Sequence, residues 1–169
     1  MKHQGIVMLA LMAAVGLVSG CSNGRVEYET LTVATLDEHI QQETDGSEMD
    51  QGDIEKLQKI YDIEANDIED FVVYTALSNV KADELAIIKV NDGSKTDTMM
   101  AHIQQRIEEQ KVKFSGYRPE ELYLVENHVL KSVGPFVFFA VSEDADLKEQ
   151  EFDAALETYE ELLIMPASQ

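Results

Sequence analysis

The chain has 169 residues, 13 Lys plus Arg against 33 Asp plus Glu, and a formal net charge of -20. That length suits one domain, and 44% hydrophobic residues is enough to build a core, which excludes a wholly disordered chain. The acid excess argues against nucleic acid and anionic lipid surfaces as partners, because both are held mainly by Lys and Arg.

Lys2 and His3 precede an uncharged stretch whose apolar part runs from Ile6 to Val18 and ends in small residues. This is the pattern of a secretory signal. Its thirteen apolar positions would rise only about 20 Å as a helix, against about 30 Å of bilayer hydrocarbon, so a permanent span is the weaker reading. Val18, Ser19, Gly20 and Cys21 resemble the lipobox of bacterial lipoproteins, in which the Cys thiol is acylated and the peptide is cut before it. An exported chain with a single Cys cannot close an internal disulfide, so acylation gives Cys21 a purpose. These features predict a signal peptide over 1–20, a lipidated Cys21 with a tether over 21–34, one domain over 35–165 and a tail over 166–169.

Thr35 to Glu38 read as a capping box opening a short helix through about Gln42. Residues 43–53 follow as a polar, acidic loop, with Asp53 the N-cap of a second helix whose apolar stripe is Ile54, Leu57, Ile60 and Tyr61. Phe71–Leu77 and Glu84–Val90 are β-branched and aromatic-rich, which predicts a hairpin. An amphipathic helix then carries Met99 or Met100, Ile103, Ile107, Gln110 and Phe114, and Gly116–Glu120 is read as a turn around Pro119. Leu122–Ser132 reads as extended and pairs through Gly134 and Pro135 with Phe136–Val141 in a second hairpin. A last helix follows Asp144 or Asp146, with Phe152, Ala155, Leu156, Tyr159 and Leu162 or Leu163 on its buried stripe. The expected fold is an α+β domain on an antiparallel four-stranded sheet, in the order ααββαββα. Phe136–Val141 is apolar on both faces, so a helical layer or a bound partner has to cover the second.

Tyr61-Asp62-Ile63, Lys81-Ala82-Asp83-Glu84-Leu85-Ala86-Ile87-Ile88-Lys89, Tyr117 with Pro119-Glu120-Glu121, and Gly134 followed by Phe136-Val137-Phe138-Phe139 and Val141-Ser142-Glu143-Asp144 resemble a family of bacterial lipoproteins. It is the family numbered 4358 in the domain-of-unknown-function series. The resemblance covers roughly 53–159 and implies a lipobox Cys, in agreement with Cys21. It implies no activity, cofactor or catalytic residue.

Catalytic and metal chemistry finds little footing in the residues. His39, His102 and His128 sit on separate elements without the spacing of a zinc pair, there is no nucleophile elbow, and no Gly-rich phosphate loop occurs. Glu43, Asp45, Ser47, Glu48, Asp50 and Asp53 offer oxygen ligands in one loop, but no register supplies the Gly and Glu of a calcium hand, so a solvated acidic loop is expected. Glu84 is an acid entering an apolar strand, read as a structural group at the hairpin end or a partner of Lys131. Acids dominate both ends of the mature chain: residues 27–70 carry 15 acids and 2 bases, 71–142 carry 9 and 8, and 143–169 carry 9 and 1.

The expectation is an exported, lipid-anchored protein of the bacterial cell envelope, facing outside the cytoplasm, that binds without catalysing and uses no cofactor or metal. Its partners would be the membrane, through the N-terminal lipid, and an envelope protein docked on the sheet and an acidic rim. Tyr74, Tyr117, Tyr123, Phe136 and Phe138 are the candidate binding surface. A carrier or sensor for a small apolar or cationic ligand is the alternative, and a hydrolase using scattered carboxylates comes third.

Overall fold

A computed structural model describes residues 28–44 and 49–164 of the chain. The lipobox, Cys21, the middle of the acidic loop and the tail lie outside the described residues. In chain order the elements are α1 (Val33–Glu43), β1 (Met49–Gln51), α2 (Ile54–Tyr61), β2 (Ile68–Ala76), β3 (Glu84–Val90), α3 (Thr96–Phe114), α4 (Pro119–Glu126), β4 (Val129–Val133), β5 (Phe136–Val141) and α5 (Ala145–Ile164). Short 3-10 turns at Ala65–Asp67 and Gly93–Lys95 precede β2 and α3.

The α+β class holds, but the sheet has five strands, not four, in the order β1-β2-β3-β5-β4, all antiparallel. The extra strand, β1, lies in the stretch that reads as acidic loop and pairs Met49 with Ala76 and Gln51 with Tyr74. Three residues are too few to show alternation; β1 is recruited by the open edge of the nine-residue β2. The second correction is α4, which occupies Pro119–Glu126 where the sequence predicts the end of a turn and extended chain from Leu122, so that the strand is confined to Val129–Val133. Pro119 stands at the first helical position, where its missing N–H costs nothing, and Glu120 and Glu121 complement the helix N-terminus.

All seven residues of β3 and all six of β5 are buried, so both faces of the sheet are covered. On one face Leu31, Val33, Leu36 and Ile40 from α1 and its approach, with Phe152, Ala155 and Leu156 from α5, pack on Leu85, Ile87, Phe136 and Phe138. On the other, Leu57 and Tyr61 of α2, Met99, Ile103, Ile107 and Phe114 of α3 and Val125 of α4 pack on Ala86, Ile88, Val137 and Phe139. The helix stripes of α2 and α3 are those their spacing predicts. The α5 stripe ends early: Leu162 and Leu163 are exposed, because twenty helical residues span about 30 Å and the six of β5 only about 20 Å.

The first described residues are packed, although they read as tether. Leu31 and Val33 are buried, the Tyr28 ring meets Phe136 edge-on at 5.7 Å, and its hydroxyl donates to Glu160 Oε1 at 2.8 Å. Gly134, at φ +55, makes room for that ring, since a Cβ there would lie 2.4 Å from Tyr28 Cε2. The α1 N-cap is Thr32, whose hydroxyl accepts from the Thr35 N–H at 3.2 Å, three residues before the expected cap. Asp70 of β2 accepts the Val33 N–H at 3.0 Å and ties the helix start to the sheet. Asp53 caps α2 as expected, accepting from Lys56 N.

Two charged groups close the ends of β3. Glu84 is buried and accepts from Tyr61 Oη at 2.8 Å, Arg106 Nη2 at 2.9 Å and Gln110 Nε2 at 3.4 Å. It therefore pins α2 and α3 to the sheet, and Lys131 pairs instead with Glu149 and Asp153 of α5. Lys89 is buried at the other end, 2.7 Å from Glu69 and 5.8 Å above the Phe136 ring.

Removing the Glu84 charge strands Arg106, so Glu84→Gln should lower unfolding stability by about 2–4 kcal/mol in urea denaturation, while Tyr61→Phe should lose about 1 kcal/mol. Burial, with hydrogen bonds to Glu160 and Asp37, pushes Tyr28 and Tyr74 from 10.0 up to about 12. The unfolded chain then gives up these protons first, so their contribution is complete below pH 10 and is lost as pH rises toward about 12. Urea midpoints measured across that window should fall, and Tyr28→Phe with Tyr74→Phe should flatten the fall.

Candidate functional site

The register of β3 on β5 brings three separated segments to one end of the sheet. Glu84 pairs with Val141, so the residues entering β3 lie beside those leaving β5, and α4 closes over both. Between them is a cleft of about 470 Å³, lined by Lys81, Glu120, Glu121, Tyr123, Glu143 and Asp146 among others.

Its floor is built from buried charges with satisfied partners. Glu121, buried in the first turn of α4, accepts the Ala82 N–H at 2.8 Å and faces the Lys81 ammonium at 3.0 Å. These contacts fasten α4 to the entrance of β3 and account for the acid at that helix position. Gly116, at φ +98, turns the chain from α3 into α4 in a conformation that a side chain would strain. Across the cleft, the buried Lys148 ammonium bonds Asp144 and reaches Ser142 Oγ at 3.3 Å, which locks the turn between β5 and α5. Burial alone would raise Asp144, but the hydrogen bonds from Lys148 and Ser142 prevail and hold its carboxyl below the usual range. Asp83 feels Glu121 and Lys148 from opposite signs; burial, joined by the Glu121 charge, pushes its carboxyl up.

The electrostatic balance of the cleft is negative. Glu120, Glu121, Glu143 and Asp146 face it against Lys81, and the positive ends of α4 and α5, each about half a charge, do not cancel four carboxylates. Tyr123, Leu124 and Ala145 add apolar wall. Such a lining accepts a cationic group on a partly apolar stem, the chemistry of a Lys or Arg side chain.

The five aromatic residues expected to form one binding surface do not converge. Phe136 and Phe138 are completely buried in the layer under α1 and α5, and Tyr74 is half-buried there with its hydroxyl on Asp37 at 2.9 Å. Tyr123 lines the cleft, and Tyr117 stands exposed just before α4. Among the described residues, helices cover both faces of the central strands β3 and β5, so those faces are not open for docking. The sequence does not announce the acids of the cleft as a group because they belong to three segments and because the residues of α4 read as a turn over Gly116–Glu120 followed by extended chain from Leu122. The signal that would have found α4 is Pro119 followed by two acids, a helix start.

The histidines stay apart. His39 lies 3.3 Å from Glu151, His128 Nδ1 is 2.7 Å from the Val125 carbonyl oxygen, and His102 lines a second, smaller cleft of about 240 Å³ with Asp62, Glu64, Asp67 and Lys95. Of the acidic loop, Asp50 pairs with Lys56 at 3.4 Å and Asp53 caps α2. Among the described residues no group of three or more His, Cys, Asp or Glu is placed to hold a metal ion, and no helix is long and apolar enough to cross a membrane.

Asp83 supplies a direct test of this geometry. Glu121→Gln removes the negative neighbour, so the Asp83 carboxyl should titrate at lower pH than in the unaltered protein, followed by carboxyl carbon shifts in NMR. An unchanged Asp83 titration would mean that the Glu121 charge does not reach Asp83.

The family model for the domain of unknown function DUF4358 matches residues 42–142. No curated protein and no solved structure matches the chain. The match covers more than half of the sequence, and the chain belongs to this family.

Proposed function

We propose that this member of DUF4358 is a non-catalytic binding module, carried outside the cytoplasm on a lipid at Cys21, whose acidic cleft receives a cationic side chain of a partner protein. The observation that carries the reading is the meeting of Lys81–Ala82, Glu120–Glu121 and Ser142–Asp146 around one negative cleft. Three of the segments on which the family resemblance rests thus contribute to a single place, although 39 residues separate Ala82 from Glu121.

The arrangement suits binding better than proton chemistry. Glu121 is engaged by Lys81 and the Ala82 N–H, and Asp144 by Lys148, so these carboxylates are committed to holding the cleft together. Glu143 and Asp146 supply field at its rim, together with Glu120, whose carboxylate lies 3.6 Å from Arg118 Nη1. A small cationic ligand would satisfy the same lining, and a protein partner is preferred because Tyr123, on the cleft wall, is 62% exposed and offers its ring to a docked surface. The lipid anchor is supported by the lipobox and the single Cys.

Two measurements on cells making the full chain test the two halves. A fatty-acid label should enter the wild-type protein and not Cys21→Ala. A photo-cross-linking residue at Tyr123 should capture a partner, and Glu143→Lys with Asp146→Lys should reduce capture about tenfold or more, the expected result of reversing rim charge. Capture that survives the reversal would remove the cleft from the interface.

A further inference from the structure

Three consecutive apolar side chains end α5 in solvent: Leu162 is 64% exposed, Leu163 53% and Ile164 80%. Neighbouring helix positions are about 100° apart, so three in a row span more than half the circumference of the helix end. A groove on another protein can take one face of a helix; a helix end that is apolar around most of its girth fits a medium that surrounds it. The turn just before them carries Tyr159 and Glu160, and these hold the entry of the chain. Tyr28 stacks on Tyr159 with ring centroids 6.2 Å apart and donates to Glu160, and the Thr30 and Tyr159 hydroxyls are 2.8 Å apart.

Cys21 lies seven positions before Tyr28, at most about 25 Å of extended chain. A lipid on Cys21 therefore keeps the Tyr28 end of the domain, and the end of α5 beside it, within that reach of the bilayer. We infer that Leu162, Leu163 and Ile164 insert into the interface of the membrane that holds Cys21, a second contact resting on the lipid-anchor reading above. The tether makes a weak contact sufficient, because it keeps the local lipid concentration high. Glu157, Glu160 and Glu161 surround the site in sequence, so the matching surface is one of zwitterionic headgroups, and anionic lipid opposes the contact. The cleft lies at the other end of the sheet, since Tyr28 sits over Phe136 at the start of β5 and Ser142 follows its last residue.

The chain contains no Trp, so one introduced indole reports alone. Full-length chains carrying Leu163→Trp, or Leu77→Trp at the cleft end where Leu77 is 70% exposed, are recovered from bacterial membranes and reconstituted into phosphatidylcholine vesicles with brominated acyl chains. A fatty-acid label on the same preparations reports acylation. Leu163→Trp should be quenched about twofold or more by the brominated lipid and Leu77→Trp should not, and adding Leu162→Glu and Ile164→Glu should abolish the quenching. Labelled protein in which Leu163→Trp is quenched no more than Leu77→Trp overturns the contact and leaves the anchor standing. Unlabelled protein overturns the anchor, and the contact with it. A blue shift that grows with protein density and ignores bromine assigns the surface to a second copy and overturns the bilayer contact.

Discussion

β3 has no face turned to water, and the rest of the molecule follows from that constraint. A seven-residue strand of Glu, Leu, Ala, Ile, Ile, Lys and Val, paired on both edges, places Leu85 and Ile87 on one side and Ala86 and Ile88 on the other. Each side needs its own helical layer, which accounts for α1 and α5 on one and α2, α3 and α4 on the other. The polar residues that begin and almost end this strand could not be left in such surroundings alone. Glu84 gathers Tyr61, Arg106 and Gln110, and Lys89 takes Glu69, so the same charges that limit the apolar run also fix the helices and the neighbouring strand.

That division separates scaffold from surface chemistry. The network around Glu84 is buried beneath α3, with only Gln110 Oε1 of its named groups left without a partner, whereas the carboxylates of Glu120, Glu143 and Asp146 face the cleft. Two further buried charges, Glu121 and Lys148, connect the two regions: each is satisfied locally, and each fixes a segment that carries cleft-facing acids. The negative lining is thus mounted on buried, hydrogen-bonded supports, which would spare the proposed cationic side chain part of the cost of ordering the site.

Much of the fold was legible because its cues were local. Asp53 before Ile54 and Leu57 announced α2, and the spacing of Ile103, Ile107, Gln110 and Phe114 announced the buried face of α3. What escaped was set by distant partners. β1 exists only against the edge of β2, the early start of α1 depends on Asp70, and Tyr28 belongs to the domain because Phe136, Tyr159 and Gly134 receive it. For the site, the charge distribution announces an acidic rim but not which acids share one place. Phe136 and Phe138 are strand residues with both faces of their strand apolar, while Glu121 in the Pro119 motif and Asp146 at the start of the last helix meet around one cavity only through the β3 and β5 pairing.

The clasp around Tyr28 sets the mechanical order of the proposed attachment. Tension on an anchored N-terminus would first load the ring contacts and the Glu160 hydrogen bond, which hold an otherwise exposed turn. If the clasp gives way, Tyr28 to Thr30 pay out about 10 Å of slack. Leu31 and Val33, buried where the chain enters α1, then resist, so a short extension is available before the helical layer itself has to peel from the sheet.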